Sequence, residues 1–224
     1  MRMSLLRVVV LVSVSLVGAA AKAQAPKDNP IVAVSQKLGE KGFVTTPPPK
    51  TSPLVFKPTD RFFVRPFLTS LYGEGKDRDA LEKATLSVIE AFETSAKEAK
   101  IANDGSAALA FSVALLYAVV YSAEVEQGAI EELTNRFRAS FDVPAVRDAS
   151  DKHKQEFYEW ALASAGMVIA MAAGAESPEQ IGKVQALATV QIKSLIGADV
   201  ANLVLKGKTA TLIPAKKKAD GGGS

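Results

Sequence analysis

The sequence predicts an all-α domain: a compact bundle of about five to six helices around a central apolar helix over residues 103–123. An extended N-terminal leader and a short strand near the C-terminus complete the expected architecture. Three observations carry this reading. No charged residue lies between Asp104 and Glu124. From Leu81 to Ala96, apolar residues recur at helical spacings with charges opposite. Ser177-Pro178-Glu179-Gln180 forms a capping box with proline at the first helical position.

Taken in order, the chain begins with a segment of secretory type, residues 1–23. Arg2 and Arg7 precede an apolar run over residues 8–17, and Ala21-Lys22-Ala23 offers small residues before a cut after Ala23. Residues 24–59 hold most of the prolines, Pro47-Pro48-Pro49 among them, and read as a largely extended linker. Leu54-Val55-Phe56 is a short apolar run that suits an edge strand lying on the domain. The helical domain is expected over residues 60–213 and a flexible tail over 214–224.

Within the domain, residues 61–72 suggest a short helix with Pro66 in its first turn, ended by Gly73 and Gly75. Residues 77–100 form the clearest amphipathic segment, with Asp77 or Asp79 at its start. Asn103 and Asp104 are placed to cap the central helix, whose apolar residues run all round it. Ile130, Leu133, Phe137 and Phe141 mark one side of the next helix, and Pro144 breaks the chain. Ser150 caps a helix over residues 151–174 that is charged in its first half only. The capping box starts the last helix, and Gly197 suits its C-cap. Residues 200–205 read as a last turn, residues 206–208 as a tight turn, and residues 209–213 as a short strand.

Composition excludes several function classes. The chain has 27 basic and 24 acidic residues, but three of the basic ones lie in the signal segment. Residues 60–213 carry 16 basic against 21 acidic residues, so no basic face for nucleic acid is expected. Zero cysteines removes disulfides, thiol catalysis and thiolate metal sites. His153 is the single histidine, and His153-x-x-Glu156 lacks the second imidazole pair that a four-helix di-metal site uses. There is no Gly-x-Ser-x-Gly elbow, and Gly73-Glu74-Gly75 is not continued into a phosphate loop. No catalytic, cofactor-binding or metal residue is therefore assigned. The one candidate contact with a partner is the aromatic cluster Phe157, Tyr158 and Trp160, because aromatics on both sides of one helix suggest a surface residue among them.

Asn103-Asp104, the Lys154-Gln155-Glu156-Phe157-Tyr158-Glu159 helix and the run from Leu195 to Gly207 occur in a set order after a signal and a Pro-rich leader. In this the chain resembles an uncharacterised family of exported bacterial proteins, known only as a domain of unknown function. The resemblance covers roughly residues 60–213, rests on capping and packing signals, and implies no activity. The expectation is an exported, non-enzymatic helical domain, periplasmic or extracellular, that binds an unidentified protein partner of the cell envelope or plays a structural role. Two alternatives stand beside it. One is a membrane-inserting domain using residues 105–123 and 161–175. The other is an uncharacterised enzyme.

Overall fold

The computed structural model describes residues 25–215, so the expected targeting segment and the end of the tail lie outside the described residues. Nine α-helices are described: α1 (Pro30–Gln36), α2 (Leu38–Lys41), α3 (Val64–Tyr72), α4 (Lys76–Glu98), α5 (Gly105–Tyr121), α6 (Gln127–Ser140), α7 (Pro144–Arg147), α8 (Asp151–Ala173) and α9 (Pro178–Ile196). A 3-10 turn, Val200–Asn202, leads into an antiparallel hairpin of β1 (Leu203–Lys206) and β2 (Thr209–Leu212).

The all-α bundle around residues 103–123 is as expected, but α5 shares the centre with α8. Helices α6, α8 and α9 pack on α5, while α4 covers the other side of α8. Residues Gly105 to Ala114 and Leu116 of α5 are all buried, whereas its last turns emerge, Tyr121 being 46% exposed. In α8 the run Phe157 to Val168 is buried without interruption. Small residues make this sandwich possible. A Cβ on Gly166 would lie 3.0 Å from the Thr85 methyl of α4, so the two helices approach as closely as glycine allows. Among the described residues no helix is long and apolar enough to cross a membrane.

Local signals fix the ends of the main helices. The Asp104 carboxylate accepts from the Ser106 amide at 2.9 Å and starts α5. The full capping box of Ser177 and Gln180 starts α9, and Gly197, with φ +67°, ends it. Pro144 does more than break the chain, because it occupies the first position of the short α7.

The leader departs most from expectation. Residues 30–41 are helical, not extended, and Ile31, Val32 and Leu38 enter the core. The physical reason lies in Asn29-Pro30. The Asn29 side-chain oxygen Oδ1 accepts from the Ile31 amide at 3.0 Å while Pro30 takes the first helical position. The same side chain donates through Nδ2 to the His153 carbonyl and to Glu156 Oε2, both at 2.9 Å, and so ties α1 to α8. Ser35 donates to the Leu195 carbonyl of α9. Further along, residues 54–56 form a single β-bridge, Val55 with Asp104, beside the start of α5.

Gly39 and Gly197 meet backbone to backbone where α2 crosses the end of α9, and a Cβ on Gly39 would run into the Gly197 carbonyl. Gly39→Ala is therefore expected to lift the leader helices from α9. The cost should be about 1–3 kcal/mol, as for overpacking where a neighbour cannot yield. Chemical denaturation together with limited proteolysis of residues 25–42 measures it. Wild-type resistance of that segment would show that the close approach is absent.

The C-terminal strand is likewise half of a larger element. β1 pairs with β2 in the register Leu203 to Leu212, and alternate residues bury against α6. Four-residue strands give little periodicity, and the hairpin gains its stability from the helix beneath it.

Candidate functional site

α8 puts two successive faces to use. Phe157 and Trp160 are fully buried, and both rings belong to an aromatic chain that continues through Phe141 and Phe137. Tyr158 turns the other way, to Phe56 at a centroid distance of 5.2 Å and Phe92 at 6.1 Å. All three residues proposed as a partner contact are thus buried, Tyr158 being 3% exposed. The sequence argument failed because it allowed α8 one buried face, and the helix lies between α4 and α5. Of the three, only Tyr158 borders open space.

That space is a cleft of about 300 Å³ between the 56–61 segment, the end of α4, the 102–103 loop and α8. Its floor is held by two side chains one helical turn apart. Glu159, 1% exposed, accepts through Oε2 from the amides of Phe62 and Phe63 at 3.2 and 2.8 Å. These amides lie at the start of α3, where no side chain of α3's own cap serves them. Gln155 donates to Glu159 Oε1 at 2.8 Å, and its own carbonyl oxygen accepts from the amide and hydroxyl of Thr59 at 2.8 and 2.9 Å. Glu159 and Gln155 thereby clamp residues 59–63 onto α8, and no free lone pair is needed to account for either one.

On the cleft wall, one terminal nitrogen of Arg61 donates to both oxygens of Glu93, at 3.0 and 3.2 Å. The Tyr158 hydroxyl donates to Glu93 Oε1 over a long 3.4 Å. Burial, reinforced by the Glu93 charge, pushes the Tyr158 phenol well above its ordinary range, so it stays protonated and remains a donor. Lys97 and Asn103 line the same cleft and make no side-chain hydrogen bond or ion pair among the described residues. Asn103 adopts φ +56°, a conformation that asparagine tolerates better than most residues.

The Tyr158 shift has a testable sign. Its folded value is raised, so the associated stability is complete below the unfolded value of about 10 and is lost as pH rises beyond it. Tyr158→Phe is expected to melt within a few degrees of wild type at pH 8. Between pH 9 and 11 the variant should lose less stability than wild type. Parallel alkaline losses in both proteins would show that the phenol titrates freely.

A second polar centre lies behind the cleft. Asp104 accepts from Ser106 and from Ser52 Oγ at 2.7 Å with one oxygen, and from Arg138 at 2.7 and 3.1 Å with the other. No histidine approaches either centre among the residues in contact. His153 sits half-buried on the first turns of α8, and its carbonyl accepts from Asn29. Among the described residues no group of three histidine or carboxylate side chains could hold a metal ion. A shallower depression of about 190 Å³, lined mainly by apolar residues such as Val119, Ile181 and Val184, lies where α5, α8 and α9 end or begin.

The sequence named Tyr158 but missed its companions. Arg61 and Glu93 stand 32 residues apart, and nothing local joins them. Gln155 and Glu159, at helical spacing on one face, were the signal available for the clamp.

Residues 12–209 match the model of a family of unknown function, DUF6683. No curated protein and no solved structure matches the chain.

Proposed function

We propose that this chain, which belongs to the DUF6683 family of unknown function, is an exported, non-enzymatic helical domain that binds a protein partner in the cell envelope through the cleft beside Tyr158. One observation carries the reading. The polar groups of the cleft divide into those used to hold the fold, Gln155 and Glu159, and donors with nothing yet to hold, Lys97, Asn103 and most of Arg61. Unspent donors over an aromatic floor suit recognition. Arg2, Arg7, the apolar run over residues 8–17 and Ala21-Lys22-Ala23 support export.

Site-specific photo-crosslinking in the living cell tests this. A photoreactive phenylalanine analogue replaces Pro58, on the cleft rim, or Ile181, in the apolar depression. Discrete adducts at position 58, recovered from the envelope or medium, are expected. Adducts at 181 alone would move the interface to the apolar depression, and none at either would remove the binding reading. Recovery of the protein only from the cytoplasm would overturn export.

A further inference from the structure

The geometry points to a carboxylate carried on an apolar body as the group this cleft recognises. The inference rests on the cleft being a binding site and adds the chemistry of its ligand. The cleft is lined by two cations, Arg61 and Lys97, and by two carboxylates, Glu93 and Glu159. Glu93 is occupied by a single terminal nitrogen of Arg61. The remaining guanidinium donors and the whole Lys97 ammonium have no partner among the described residues. Glu159 also borders the cleft, but its oxygens already accept from two backbone amides and Gln155, so it repels an incoming anion less than a free carboxylate would. The Tyr158 hydroxyl donates to Glu93 and so shares that carboxylate with Arg61, and Asn103 adds an amide to the cleft wall.

Shape supplies the second half. Phe56, Pro58, Ala102 and Tyr158 also line the cleft, so apolar side chains lie beside the donors. A cleft of about 300 Å³ has room for one ring or one terminal residue with its carboxylate. A cation would be repelled by Arg61 and Lys97, and a neutral ring would gain no charge interaction with either. A carboxylate lets Lys97 and Arg61 donate at once, and the fork of donors on Arg61 suits its planar geometry.

Two sources share this chemistry: a free aromatic acid and the C-terminus of a polypeptide. Titrations of the full-length mature protein followed by amide NMR separate them. The probes are phenylacetate, benzylamine, a tripeptide ending in phenylalanine, and the same tripeptide amidated. Phenylacetate or the free-acid tripeptide is expected to shift resonances of residues 56–61 and 93–103 saturably, and the amidated peptide and benzylamine should bind at least about tenfold more weakly. Preference for the tripeptide over phenylacetate assigns the ligand to a chain end, and the reverse order assigns it to a free acid. Lys97→Glu should weaken the carboxylate about tenfold without changing the melting temperature, and Lys97→Arg should restore most of the affinity. Equal binding of acid and amide, or of wild type and Lys97→Glu, would overturn the carboxylate while leaving the cleft as a site. Crosslinks at Pro58 with no response to any of the probes would overturn it too.

Discussion

Leu116→Asp is expected to abolish the folded state. Leu116 lies in α5 with no exposed surface, on a helix wrapped by α6, α8 and α9. Truncating such a leucine costs about 2–5 kcal/mol through lost transfer energy and the cavity left behind. The aspartate adds a carboxylate with no partner in an apolar shell, and removing a charge from water adds several kcal/mol more. A domain of this size has about 5–15 kcal/mol to lose, so the two effects together reach its whole stability. Tyr121→Asp is the control. It lies on the same helix but is 46% exposed, and it should cost no more than about 1 kcal/mol, from an acid near a helix C-terminus. Circular dichroism melts of the two variants decide the matter. A cooperative transition near the wild-type temperature for Leu116→Asp would mean that α5 is not enclosed as described.

That contrast between two residues of one helix shows what could be read from the sequence. The ends of α9 were legible because each signal is local: Ser177, Pro178 and Gln180 lie within one turn, and Gly197 needs only its own φ. The burial of α5 was legible from its lack of charge. The α1 helix was missed although Asn29-Pro30 is the same kind of start signal, because the prolines around it dominated the reading. Tyr158 against Trp160 is a different failure. Helical spacing places them on different faces but cannot show that α4 and α5 cover both. The cleft was the least legible feature. Arg61, Glu93 and Tyr158 come from three segments, and their meeting is a property of how α4 packs on α8. The Glu159 clamp belongs with it, since its partners are backbone amides, which leave no mark on the sequence.

Asp104→Ala is expected to be the most damaging change at a polar position, at about 3–5 kcal/mol. The carboxylate is 1% exposed and has three duties. It caps α5 through the Ser106 amide, holds the 52–56 segment through Ser52, and receives Arg138 from α6 on a single oxygen. Alanine removes all three at once. The cap alone accounts for about 1 kcal/mol, and the buried Ser52 and Ser106 hydroxyls keep each other, at 3.1 Å, with Ser52 Oγ still accepting from the Leu54 amide at 3.3 Å. Arg138 is less stranded than a fully buried cation, because its side chain is 22% exposed and water can reach it, which favours the lower end of the range. Asp104→Asn separates the duties. Asparagine can still accept from the Ser106 amide and Ser52, but it offers Arg138 no charge, so its cost should fall near half that of alanine. Arg138→Met closes the cycle: with the aspartate gone, the arginine substitution should cost less than it does alone. Denaturant midpoints for the five proteins (wild type, Asp104→Ala, Asp104→Asn, Arg138→Met and the Asp104→Ala, Arg138→Met double variant), at unchanged slope, measure each step. The ordering wild type, Asn, Ala in decreasing stability is required, and equal midpoints for Asn and Ala would show that the ion pair alone, and neither the cap nor the Ser52 bond, holds the start of α5 in place.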